Sequence, residues 1–227
     1  MEFDKRAEKP LSEATKQRLE EWGEKVKQRS AHAKSKQPWV NGLQTVSILI
    51  GIIFGGCLIA GLYGIIHDQL TYTISPEYYT RFKFYQFELV DEGIDATTIE
   101  SPRLAVSVVG FLATWWMGIP IATIVGLFSL HSDKKFMMNV ALKAFLIIIS
   151  LAFLTGLVGL CIGYLVLANE TSESFTNWFI PANLVDFKSF IAVGSMHNYS
   201  YLGGILGTFA GFAYIQWRKW MLKKGEA

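Results

Sequence analysis

The apolar positions of this chain gather into four runs, Gln44–Ile66, Leu104–Leu130, Val140–Leu167 and Met196–Trp217, almost free of charged side chains. A helix rises about 1.5 Å per residue and a bilayer core is about 30 Å thick, so about 20 apolar residues cross it once. Each run meets that length. A soluble amphipathic helix shows a polar residue on every turn, whereas Val46–Ile66 has only Ser47 and Tyr63 as polar side chains and therefore no face for water. The pattern predicts an all-α integral membrane protein with four transmembrane helices at about 44–66, 104–130, 140–167 and 196–217.

Between the runs lie two segments, 68–102 and 169–195, that read as external. The first is crowded with rings at Tyr72, Tyr78, Tyr79, Phe82, Phe84, Tyr85 and Phe87. Alternation from Thr71 to Ser75 suggests a short strand, and Ser75 before Pro76 a helix start. The second segment adds Phe175, Trp178, Phe179, Phe187 and Phe190, with a short helix or re-entrant turn expected after Pro181. Together they predict a small aromatic-rich extracytoplasmic cap. Ahead of the first run, residues 1–41 form a polar segment. Within it Leu11–Ser30 carries Leu19, Trp22 and Val26 at helical spacing, the mark of an amphipathic helix on the inner membrane face; Pro38 and Trp39 are expected to end it, Trp39 as an interfacial anchor.

Charge orients the spans. Residues 1–41 hold ten Lys or Arg, the second connection holds Lys134 and Lys135, and the tail holds Arg218, Lys219, Lys223 and Lys224. The segment from Asp68 to Pro102 has seven acids against Arg81 and Lys83. By the positive-inside rule both termini are cytoplasmic, in a plasma or inner membrane, which also agrees with an even number of crossings. The first run follows a long polar stretch and reads as a retained anchor rather than a cleaved signal. Cys57 and Cys161 fall inside spans and read as packing residues.

Small residues one turn apart let helix backbones approach in lipid. Gly51 and Gly55, Gly159 and Gly163, and the ladder Gly203, Gly207, Gly211 are such steps. They predict packing within one chain or contact in a homo-oligomer. Trp115 and Trp116 are expected to fill space between helices, and Pro120 to kink the second span at Trp116.

Familiar catalytic templates are absent: there is no P-loop, dinucleotide fingerprint, nucleophile elbow, Cys-x-x-Cys or H-E-x-x-H. Of Asp, Glu, Lys and Arg only Lys143 falls within the expected span limits, near enough to an end to snorkel, which disfavours ion-coupled transport. Candidate chemistry therefore falls at the outer span ends. There His67, Asp68, Glu77 and His197 share one membrane surface and offer imidazole and carboxylate ligands to a metal such as zinc or iron, two axial ligands to a haem, or a lipid-substrate site. His131 reads as a turn element and His32 as part of the basic segment. The function class that fits the two elaborated surfaces is a scaffold or accessory subunit meeting a partner through the cap or the N-terminal helix. The alternatives are the site just described and an oligomeric channel. The partners implied are the bilayer and a homo-oligomer or larger membrane complex, not nucleic acid, and no particular cofactor is singled out.

Overall fold

The computed structural model describes residues 12–225 except 92, 132 and 183, and leaves aside the side chains of 30–41, so Trp39 and His32 lie outside the described residues. Among the described residues the fold is all-helical, without strands. Helix α1 spans Glu13–Ile74, followed by a short α2 (Pro76–Tyr78), a π-helical turn at Tyr79–Lys83 and α3 (Phe84–Gln86). Next come α4 (Pro102–Thr114), a 3-10 turn at Trp115–Met117, α5 (Gly118–Ser129), α6 (Lys134–Leu165) and α7 (Phe187–Lys224). Three stretches are long and apolar enough to cross a membrane: Gly42–Ile74, Pro102–Ser129 and Lys134–Asn169. Residues 12–47 and 48–227 form two separate compact units. In the first, Leu19, Trp22 and Val26 are exposed along one helix.

In the second unit two seams organise the helices. Along α6 and α7, a Cβ placed on Gly207 would lie 2.8 Å from the backbone of Ile148, and one on Gly211 would touch Ala144 and Ile148. One on Gly159 would press on Tyr199, and one on Gly163 on Ala192. Ser195 Oγ donates to the Gly159 carbonyl across this seam at 2.7 Å. Along α1 and the α4–α5 pair, Gly64 meets Gly110 backbone to backbone and Gly118 meets Cys57, while Thr114 Oγ1 donates to the Ala60 carbonyl at 2.8 Å. Gly51 and Gly55 have nothing within 4 Å of a Cβ position, so this step makes no contact inside the chain. Ile52, Val125, Met137, Phe145 and Ile215 close a core shared by α1, α5, α6 and α7.

Four local expectations change. Helix α1 runs unbroken through Pro38 and does not end there. It also runs past Ile66 to Ile74 in place of the expected strand, with the Thr71 and Thr73 hydroxyls turned back onto the carbonyls of His67 and Gln69 at 3.2 and 2.9 Å, a contact that helices accommodate. The residue before a proline resists helical geometry, so Ser75 ends it. Helix α7 begins at Phe187, not Met196, because Asp186 caps it by accepting from the Ser189 N–H at 3.1 Å and the Ser189 hydroxyl at 2.6 Å. Finally, Trp115 and Trp116 are partly exposed instead of filling an inter-helix gap. The helix is interrupted at the expected place: Pro120 has no N–H for the Trp116 carbonyl, and a 3-10 turn at Trp115–Met117 separates α4 from α5, with the Gly118 N–H on the Trp115 and Trp116 carbonyls. After Pro181 there is no helix until α7.

The two inter-helix segments pack their rings together. Tyr78, Tyr79, Phe84 and Phe190 are buried in one cluster with Val106 and Val109 of α4, and Phe175, Trp178 and Phe187 lie against it. Phe82 stacks on Phe179, so the two segments touch directly.

Candidate functional site

Beneath this aromatic cluster, three side chains converge from two helices. His67 and Asp68 follow one another on α1, and His197 comes from α7; all three are buried. Asp68 Oδ1 lies 3.3 Å from His67 Nδ1 and 3.3 Å from His197 Nε2. One ligand atom from each residue falls within 4.8 Å of the others. The two imidazoles meet edge to face with centroids 4.7 Å apart, and Tyr78 stacks on the outer face of His197 at 4.9 Å.

The remaining nitrogens fix how these rings are used. His197 Nδ1 lies 2.9 Å from the Val193 carbonyl, which can only accept, so Nδ1 carries a proton and donates. In a neutral ring Nε2 then presents a lone pair to a carboxylate oxygen. Two acceptors then face each other, and what separates them is either a proton on Nε2, giving an imidazolium–carboxylate pair, or a metal ion. His67 Nε2 lies 3.1 Å from Ser200 Oγ, three residues from His197 on the same face of α7. Each histidine therefore has one nitrogen held by an outer partner and the other aimed at Asp68. That is how metal-bound histidines are oriented, the outer hydrogen bond setting the tautomer and the ring plane.

Two of the separations, 3.3 Å from Asp68 Oδ1 to each nitrogen, agree with a metal, and the three atoms together lie within 4.8 Å. Zinc binds imidazole and carboxylate at about 2.0–2.1 Å, and the edge of a tetrahedron with such bonds is about 3.3 Å. A direct charge-assisted N–H···O bond is shorter, about 2.7–2.9 Å. The edge-to-face rings leave no slab for a porphyrin between them, so the arrangement does not suit bis-histidine haem ligation.

A cavity of about 90 Å³ opens beside the three ligands. Tyr63, one turn before His67, lines it together with Lys83, Ser200 and Tyr201, and its inner wall is apolar, with Met117, Ile121 and Ile148. Tyr63 OH and Asp68 Oδ2 are buried polar atoms without a hydrogen-bond partner among the described residues. Lys83 reaches this cavity from the π-helical turn. It is only 8 % exposed, its Nζ donates to Gln86 Oε1 at 2.9 Å, and it lies 5.2 Å from the centre of the Phe82 ring. Burial pulls the Lys83 ammonium below its ordinary pKa, and the nearby Asp68 charge works against that shift.

Of the four residues singled out in the sequence, His67, Asp68 and His197 are brought together; Glu77 is not. Its carboxylate accepts from the backbone N–H of Val185 at 3.0 Å and of Asp186 at 2.7 Å, pinning α2 to the start of α7. Because α1 continues to Ile74 and α7 begins at Phe187, the three side chains lie within helices and next to the aromatic cluster instead of at helix ends. Sequence reasoning passed over Tyr63 and Lys83. Tyr63 carried a signal, its four-residue spacing from His67; Lys83, in the aromatic stretch expected to form the cap, carried none. No protein family, curated protein or solved structure matches the chain.

Proposed function

We infer that this is a four-span membrane protein holding a single divalent transition metal between His67 Nδ1, Asp68 Oδ1 and His197 Nε2, with a fourth coordination position open to the cavity. The observation that carries the reading is the convergence of three buried ligand-type atoms, with Asp68 Oδ1 3.3 Å from both His67 Nδ1 and His197 Nε2 and the other nitrogen of His197 held by the Val193 carbonyl. Two imidazoles and one carboxylate suit zinc or ferrous iron. Three protein ligands with an open position are what a metal needs to activate water or to polarise a carbonyl or phosphoryl oxygen. The work assigned to the centre is Lewis-acid chemistry on a molecule that enters the cavity.

Helix α7 is the fourth crossing. Its polar outer half lowers its hydropathy, but those groups are buried and bonded, as Ser195 is to Gly159 and Ser189 to Tyr164 at 3.0 Å. Ile48 to His67 rises about 28 Å and His197 to Trp217 about 30 Å, each close to the hydrocarbon thickness. The metal then sits at the outer boundary of the bilayer core under an extracytoplasmic cap, with the basic termini in the cytoplasm.

Metal analysis of the full chain purified without chelator tests this. The expected result is about one equivalent of zinc or iron, falling at least tenfold in His67→Ala and His197→Ala, as loss of a ligand to a three-ligand site requires. Metal-free protein from metal-supplemented cells contradicts it.

A second reading, an accessory subunit, is favoured by one observation, the exposed stripe of Leu19, Trp22 and Val26. Co-purification of a partner that is lost in Trp22→Glu supports it. A protein that leaves its native membrane alone counts against it.

A further inference from the structure

The metal cavity has an apolar neighbour. Helices α5 and α7 border a groove of about 440 Å³, lined by Pro120, Ile124, Phe128, Phe209 and Phe212 with almost no polar surface. Ile121 belongs to the walls of both the groove and the metal cavity. On α7, Gly204 lines the cavity and its neighbour Ile205 lines the groove. Phe128 and Phe212 meet edge to face at 4.7 Å between α5 and α7 along the groove. The groove is therefore an apolar slot that adjoins the metal cavity, with Ile121 as the shared wall.

The chamber itself calls for negative charge. A divalent ion neutralised by Asp68 alone leaves one positive charge, and the Lys83 ammonium lines the same cavity. Asp68 is the only acid among the described lining residues. A buried excess of positive charge is costly unless paired, and an anion on the open coordination position removes that cost. No charged side chain lines the groove, so what extends into it from that anion is hydrocarbon.

We propose that the substrate of this centre is a membrane lipid with an anionic head, carboxylate or phosphate, bound to the metal beside Lys83, and a hydrocarbon chain lying in the α5–α7 groove. The inference rests on the metal centre argued above. The hydrocarbon chain enters laterally, from the bilayer between α5 and α7, so the chain never leaves an apolar environment.

Gly204 provides a clean block. A Cβ there meets nothing within 4 Å, so a side chain can start from this position, and Gly204→Leu adds bulk at the wall between cavity and groove. The full chain, reconstituted in neutral phosphatidylcholine nanodiscs, is titrated with oleate, with dioleoyl phosphatidic acid, with uncharged oleyl alcohol and with inorganic phosphate. Bound ligand is read by native mass spectrometry, and metal content is measured on the same samples. Expected is near-stoichiometric retention of an anionic lipid, with oleyl alcohol and inorganic phosphate each weaker by about tenfold or more, as loss of one charge-assisted contact or of the buried chain requires. Retention of oleate alone assigns a carboxylate head, and of phosphatidic acid alone a phosphate head. Gly204→Leu is expected to lose retention with metal unchanged, and Lys83→Gln to weaken the charged probes but not oleyl alcohol. Equal binding of oleyl alcohol, full retention in metal-loaded Gly204→Leu, or equal retention after metal is stripped overturns the proposal. Absence of metal from the unmodified protein overturns the metal centre itself.

Discussion

Asp186 illustrates how single polar residues hold the site in place. Its side chain caps α7 through Ser189, and those hydrogen bonds keep its carboxyl below the usual carboxylate range. A carboxylate whose folded pKa is depressed stabilises above its unfolded value of about 3.9, and that contribution is lost as pH falls through the folded value. Asp186→Ala is expected to cost about 1 kcal/mol at neutral pH, and its difference from the unmodified protein to shrink as the pH drops below about 4. Thermal unfolding in detergent at several pH values measures both; a difference that grows on acidification contradicts the assignment. Three of the four candidate ligands were legible because topology alone set their span ends on one surface. Glu77 was not, because what competes for its carboxylate are two backbone N–H groups more than a hundred residues away, and no local pattern announces them. Lys83 was hidden for a similar reason: a base among aromatic residues has the same sequence signature whether it faces headgroups or a cavity.

At the scale of elements, glycine steps that look alike in sequence do different work. Gly207 lies against the Ile148 backbone, which cannot move aside, whereas Gly51 faces open space. Gly207→Val is expected to destabilise the protein by about 1–3 kcal/mol, the cost typical of overpacking. Gly51→Val is expected to leave monomer stability within about 0.5 kcal/mol, as for a site without neighbours. Thermal stability in detergent compares the pair, and an equal loss in both contradicts the two-seam arrangement. Should Gly51→Val change the oligomeric state alone, the open Gly51–Gly55 face is a contact between copies. Apolar run length predicted the existence of the helices but not their ends. Run length registers hydropathy, while the ends of α1 and α7 are set by Pro76, which turns Ser75 out of helical geometry, and by Asp186, whose carboxylate satisfies a free backbone N–H. The interruption at Trp116 was legible, since a proline removes one specific hydrogen bond wherever it stands.

For the whole molecule, the account requires four crossings and a metal at the outer edge of the bilayer core. With Cys57 and Cys161 replaced by alanine, Lys224→Cys is expected to react with impermeant maleimide only from the cytoplasmic face, and Glu173→Cys only from the opposite one. Labelling of both from one side means that α7 does not cross. The central claim is the ion between α1 and α7, which makes two helices, the cavity and the aromatic cluster parts of one site. X-ray absorption at the metal edge of the purified full chain tests it most directly. The predicted spectrum has two imidazole nitrogens and one or two oxygens at about 2.0–2.1 Å, with one imidazole lost in His197→Ala. A sulfur-ligated or fully hydrated ion, or a spectrum unchanged in that variant, contradicts it.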